Sequence, residues 1–160
     1  MKLTQKYLKS ILRYSKGTGV FTWVKNTGNK HFVGKRAGGL QKGYYRISIN
    51  NFHYTASRLA WFYVTGKWPK YSIDHINGDP ADDRWKNLRD IPQKLNMQNR
   101  RVPCRNSSNK YLGITRNGSG YLGQIVLNGK YHYLGTYRTQ EQAHAAYLSA
   151  KRRLHKGCTI

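Results

Sequence analysis

Apolar positions along the chain change period several times, and each change marks an element. Leu3, Tyr7, Leu8, Ile11 and Leu12 recur at helical spacing behind Thr4, whose hydroxyl suits an N-cap, so a helix is expected over residues 4–14, ending near Ser15. From Gly17 to Ala56 the pattern turns to glycine-punctuated alternation. The runs GYYRISI and FHYTA, joined by Asn50-Asn51, read there as a β-hairpin. SRLAWFYVTG carries the spacing of a short helix, with Gly66 at its end and Pro69 as a stop beyond it. The stretch from Tyr71 opens as a strand, crosses a Gly/Asp/Pro loop and ends in a polar run that becomes helical from Pro92.

A second pattern follows the basic, proline-containing stretch RRVPCRNSSN, which reads as a linker. Residues 110–117 and 121–128 alternate as strands, and Asn128-Gly129 is a strong turn signal leading into KYHYLGTY. Thr139 and Gln142 have capping-box spacing, after which Ala143, Ala146, Tyr147, Ala150 and Leu154 share one helical face. A unit of about 50 residues is near the lower limit for independent folding, so its core should be thin: Ile114, Ile125, Leu134 and that helix face.

Composition then bounds the function. Hydrophobic residues at 38% and aromatics at 13% exclude a disordered basic tail. The 29 Lys and Arg against 6 Asp and Glu, a formal charge of +23, call for a polyanionic partner, and nucleic acid fits best. No apolar run approaches the roughly 18 to 20 residues of a membrane span, so no membrane partner and a cytoplasmic location are expected. Cys104 and Cys158 lack the spacing of a disulfide framework or a zinc site.

Acidic residues are concentrated. Asp74, Asp79, Asp82, Asp83 and Asp90 lie within one short window, and the remaining acid is Glu141. Carboxylates repel the phosphates a basic protein must hold, so their clustering asks for a local reason, either metal coordination or loop chemistry. Asp74-His75 at a strand end points its side chains to opposite sides, and one can serve a metal while the other faces water. Asn96 and Asn99, three apart, share a helical face and can offer amide oxygen to the same ion. Such oxygen donors suit Mg²⁺ or Mn²⁺ better than zinc. From spacing alone an Asx-rich loop with a surface histidine is an equally open reading.

The segment YTASRLAWFYVTGKWPKYSIDHINGDPADDRWKNLRDIPQKLNMQNR resembles HNH endonucleases of the phage homing type, whose pattern runs HRLAW, G-x-x-P, IDHINGD, D-N-R, NLR and N-x-x-N. The resemblance implies a ββα-metal fold in which Asp74 and Asn96 hold one divalent cation, His75 is general base for the attacking water, and Asn87 pins the loop that orients His75. Two positions depart from the pattern. Ser57 stands where the family commonly has histidine, and Asp83 stands in the place of the asparagine of D-N-R.

The C-terminal YLGITRNGSGYLGQIVLNGKYHYLGTYRTQEQAHAAYLSAKRRLHKG is similar to AP2/ERF DNA-binding domains, which implies a three-stranded sheet entering the major groove. The DNA-facing positions implied are Thr115, Asn117, Gln124, Val126, Tyr131 and Tyr133, with Arg116 close by. Arg58, Lys94, Asn99, Arg100, Arg101 and Arg105 complete the expected DNA-contacting set, where phosphate contacts fix register without reading sequence.

The expected fold class is therefore α+β: a ββα-metal HNH nuclease module over 1–102, a basic linker over 103–108 and an AP2-like sheet plus helix over 109–160. The expected function is metal-dependent DNA cleavage to 5′-phosphate and 3′-hydroxyl by a monomer or weak dimer acting on double-stranded DNA, in a bacterial host cell if phage-encoded. A DNA-binding protein that uses the HNH scaffold only as a grip is the alternative, and Ser57 is the residue that favours it.

Overall fold

In the computed structural model, which describes residues 3–26, 33–103, 107 and 109–159, Thr4 caps the first helix: its side chain accepts from the Tyr7 N–H at 3.2 Å. That helix, α1, runs Gln5–Ile11 and is shorter than expected. Leu12 turns to extended backbone, and β1 (Leu12–Tyr14) pairs antiparallel with β2 (Phe21–Trp23). The apolar residues read as the last helical turn serve strand periodicity as well: Leu12 and Tyr14 are buried, with Arg13 exposed between them. Pairing with β2 satisfies their backbone, which decides between the two periods.

Beyond it, β3 (Gly39–Gln41), β4 (Tyr44–Ile49) and β5 (Phe52–Thr55) form an antiparallel sheet in sequence order. The Asn50-Asn51 hairpin is present, both residues at positive φ (50° and 65°), as a tight turn between right-twisted strands requires. Helix α2 (Ala56–Thr65) ends on Gly66 at φ 74°. Then β6 (Ser72–His75) pairs antiparallel with β7 (Leu88–Ile91), joined by a loop and a single 3-10 turn at Trp85–Asn87. The buried core here contains Leu8, Ile11, Leu12, Phe21, Ile47, Leu59, Ala60, Phe62 and Leu88. Ser57, at the position of the family histidine, is buried with them and donates to the Thr55 hydroxyl oxygen at 3.3 Å.

Packing divides the chain into Met1–Pro92 and Gln93–Ile160. This differs from the expected limits of 1–102, 103–108 and 109–160, because the polar helix α3 (Gln93–Gln98) belongs to the second unit. The Gly157 N–H donates to Gln98 Oε1 at 2.9 Å, and the Thr159 hydroxyl bonds the Asn99 side chain. These bonds to the C-terminal residues account for the shift in boundary.

The second unit contains a three-stranded antiparallel sheet and a long helix. β8 (Ile114–Asn117), β9 (Gly120–Leu127) and β10 (Lys130–Tyr137) lie in the order β10-β9-β8, and α4 (Gln140–Leu154) follows. The capping box is complete: Thr139 accepts from the Gln142 N–H, and the Gln142 side chain accepts from the Thr139 N–H, each at 3.3 Å. Ile125, Tyr147 and Ala150 make the small core, with Leu112, Leu134 and Leu148 against it. Leu154 was expected on this face but is 38% exposed, being the last residue of α4.

The strand expected from residue 110 begins only at Ile114, because Gly113 sits at φ 73° against the Tyr147 ring. A Cβ there would overlap Tyr147 and force left-handed backbone on an L-residue. Gly113→Ala should therefore destabilise the second unit by about 2–5 kcal/mol, left-handed strain and overpacking together. The check is selective, since all four tryptophans lie in the first unit. Hydrogen-exchange protection in β8 to β10 should collapse while the tryptophan-detected transition keeps its midpoint.

Candidate active site and nucleic-acid interface

Strand register builds the site. Residues Asp74 and His75 end β6, where Asp74 lies opposite Arg89 and His75 opposite Leu88 on β7. The Arg89 guanidinium donates to Asp74 Oδ2 from Nε at 2.8 Å and from Nη2 at 2.7 Å, balancing a carboxylate that is 7% exposed. His75 is equally buried, and its Nε2 lies 3.0 Å from Asp83 Oδ1. The Tyr44 ring also lies near the imidazole, ring centroids 6.3 Å apart.

The loop between β6 and β7 is held by its own amides. The Asn87 Oδ1 accepts from the Asn77 N–H at 2.9 Å, while its Nδ2 donates to Asn77 Oδ1 at 3.0 Å and to the Asp82 carbonyl at 2.7 Å. Asp82 receives Arg84 Nε at 2.7 Å and Asn77 Nδ2 at 2.7 Å. The Arg84 bond is the main reason its carboxyl is held below the usual carboxylate range.

Three of the clustered acids, Asp79, Asp82 and Asp90, thus have loop chemistry to do. Asp79 accepts from the Ala81 N–H at 2.9 Å, and Asp90 accepts from the backbone N–H groups of Lys70 and Tyr71 at 2.7 and 2.8 Å, fixing the approach to β6. Among the described residues no group of three or more His, Cys, Asp or Glu is arranged to hold a metal ion. The donor chemistry nevertheless fits a hard cation, which commonly takes one or two protein oxygens and completes its shell with water and phosphate. Asp74 is the carboxylate of that kind at the end of β6. Asn96 lies on α3, in the second unit.

Sequence reasoning missed two of these partners. Arg89 stands inside the quoted NLR motif, but only the β6–β7 register sets it opposite Asp74. Asp83 departs from the family pattern, and its place in the sequence does not show that it meets His75.

In the second unit, register brings the expected sheet positions together. Tyr131 pairs with Val126, Tyr133 with Gln124 and Thr115 with Leu122, and alternation sets Asn117 beside Thr115 on the same side. Ile125 faces the other way, into the core under α4. A register shift between Tyr133 and Gly135 leaves Leu134 as an extra residue, half-buried against that core. Tyr131 is 72% exposed and Tyr133 64%. Gln124 Nε2 donates to Thr115 Oγ1 at 3.0 Å, and Arg116 is exposed beside them.

The other basic and polar positions divide. Arg58, Lys94, Arg100 and Arg101 are exposed. Lys94 donates to Asn128 Oδ1 at 3.1 Å, Arg100 to the Val102 carbonyl at 2.9 Å and Arg101 to the Thr159 hydroxyl at 3.2 Å. Asn99 is 5% exposed and bonded to Thr159, which takes it out of the exposed set as a correction to the sequence expectation. Arg105 lies outside the described residues.

Among the described residues, no helix is long and apolar enough to cross a membrane. Residues 54–98 match the family model of HNH endonucleases. Over 116 residues, 64% of this chain, the sequence is 31% identical to Protein 3.8 of Escherichia phage T7, and the match spans 96% of that relative. No solved structure matches the chain. With the Asp74-His75 pair inside the matched segment and nearly the whole of the phage protein covered, the chain belongs to the family of phage T7 Protein 3.8 and carries an HNH endonuclease domain over residues 54–98.

Proposed function

We propose that the protein is a metal-dependent DNA endonuclease that nicks one strand per site, with His75 as general base and Asp74 as the carboxylate that holds the cation. The observation that carries this reading is the buried Asp74-His75 pair at the end of β6, inside the HNH match, with the imidazole fixed by a hydrogen bond on one nitrogen. Asn96 enters as the second ligand on the family pattern alone. When bound, Mg²⁺ or Mn²⁺ supplies charge neutralisation at the scissile phosphate and at the departing 3′ oxygen.

The chain's own residues do the rest. His75 takes a proton from the attacking water, a role for which imidazole is the side chain most often used. Asn87 supports it by holding Asn77 and Asp82, which tie the loop on which Asp83 sits. Water attack in line with the 3′ oxygen yields 5′-phosphate and 3′-hydroxyl ends. One such site cuts one strand, so a double-strand break needs a second binding event or a second copy.

The second unit is proposed as the DNA-targeting module, AP2/ERF-like in role, with Thr115, Asn117, Gln124, Val126, Tyr131 and Tyr133 toward the groove. Two tyrosines more than half exposed on a sheet that carries Arg116 and Lys130 and no acidic residue support it. Arg58, Lys94, Arg100, Arg101, Arg105 and Arg116 are proposed as phosphate contacts. The combination of nuclease and targeting module is that of a homing-type enzyme.

A second reading, a DNA grip without chemistry, draws on the hold of Arg89 over Asp74 and on the buried Ser57. Supercoiled plasmid separates the two: the enzyme converts it to open circles only with Mg²⁺ or Mn²⁺ present, and EDTA stops the reaction. Plasmid left supercoiled under saturating protein and both metals selects the second reading.

A further inference from the structure

We propose that Asp83 is the positioning residue of His75: its carboxylate accepts the Nε2–H, which selects the imidazole tautomer whose lone pair is on Nδ1 and aims that nitrogen at the water. The inference rests on the reading of His75 as general base and adds a residue to it. A carboxylate is an acceptor, so a neutral histidine in contact with it donates, and the proton is placed on the nitrogen that touches it. That nitrogen is Nε2, 3.0 Å from Asp83 Oδ1, with the two residues 6% and 3% exposed. Burial strengthens such a bond and makes its loss costly, since solvent does not replace the missing acceptor.

Asp83 is itself held from several directions. The Tyr14 hydroxyl donates to its backbone carbonyl at 2.6 Å, and burial, reinforced by the charges of Asp83 and Asp82, pushes that hydroxyl's pKa up and keeps it a donor. Gly19, at φ 76°, lets the β1–β2 turn pass so close that a Cβ there would lie 2.5 Å from the Asp83 carbonyl carbon and 2.5 Å from the Arg84 nitrogen. The Trp85 N–H donates to the Lys16 carbonyl at 3.0 Å. On the other flank, Asn87 grips the Asp82 carbonyl. The N-terminal hairpin therefore acts as a buttress for the carboxylate that meets the imidazole, at a position where the related pattern has asparagine.

The test uses the full chain with Asp83→Ala and Asp83→Asn, nicking of supercoiled plasmid with Mg²⁺, and the imidazole ¹⁵N spectrum that reports the tautomer. Asp83→Ala should lower kcat about 100-fold with KM within about threefold, as loss of alignment rather than of binding, and should lose the Nε2–H signature. Asp83→Asn, whose amide oxygen accepts the same proton, should keep the signature and retain kcat within about tenfold of wild type. An Nδ1–H tautomer in the wild type overturns the proposal, as does a folded Asp83→Ala protein with kcat within about threefold of wild type. If Asp83→Ala does not fold, the Asn variant decides, and an Nδ1–H tautomer with unchanged kcat in it is fatal to the idea. Wild-type nicking by His75→Ala strikes the assignment of His75 as general base instead, and the tautomer spectra then judge Asp83 without reference to activity.

Discussion

Replacing His75 by alanine should lower plasmid nicking about 10²- to 10⁴-fold, the worth of a positioned general base, while DNA affinity stays within a few-fold of wild type. Asp74→Ala should do the same for a different reason. It removes the carboxylate that holds the cation, and it leaves Arg89 without the partner it bonds from both Nε and Nη2. The two variants are told apart by metal binding. His75→Ala should still take up Mn²⁺ in an isothermal titration or by paramagnetic relaxation, whereas Asp74→Ala should not. Docking is spared because the charge that draws DNA, +23 over the chain, is spread far beyond these two buried side chains. Cleavage at the wild-type rate by either variant moves the chemistry away from the end of β6.

DNA affinity should fall about 10³- to 10⁵-fold between 50 and 200 mM salt if the protein neutralises roughly 6 to 10 phosphates, each contributing a log–log slope of about −0.9 through counterion release. The charge is not dispersed evenly enough for a weaker expectation. Five of the six acids are engaged with arginine, histidine or loop amides between Asp74 and Asp90, so little negative charge offsets the lysines and arginines elsewhere. Fluorescence anisotropy with a labelled duplex across a salt series checks it, and a slope shallower than about −3 argues against a long duplex footprint. Measured on unrelated and preferred sequences together, the same series separates phosphate contacts from base readout. Substitution of Tyr131 or Tyr133 should narrow the preference between sequences while leaving the slope unchanged.

Much of the chain was legible because its signals are local. Thr4 and Thr139 act within one turn, and the Thr139–Gln142 box depends on a three-residue spacing that the sequence displays. Asn50-Asn51 and Asn128-Gly129 turn where they were expected to, since tolerance of positive φ belongs to the residue itself. Period-2 alternation likewise puts Ile125 and Val126 on opposite sides of the strand, and Ile125 is buried while Val126 is exposed. Leu12 to Tyr14 misled because apolar residues at 8, 11, 12 and 14 satisfy a helical stripe and a short strand alike, and the partner that chose between them is β2.

By itself the sequence determined the caps, the turns, the sidedness of the strands and the Asp-His pair that led to the HNH reading, all of which are properties of neighbours along the chain. Tertiary structure alone decided which group each functional side chain meets. Arg89 reaches Asp74 through strand register, across 15 positions, and the Tyr14 hydroxyl reaches the Asp83 carbonyl across 69. Asn99 is buried and bonded to Thr159, 60 positions away, although Arg100 and Arg101 directly after it are exposed and basic. The physical reason is the range of the forces: propensity and capping act within a turn of chain, whereas a buried carboxylate or amide must find its partner wherever the fold brings one, and no local pattern encodes that distance.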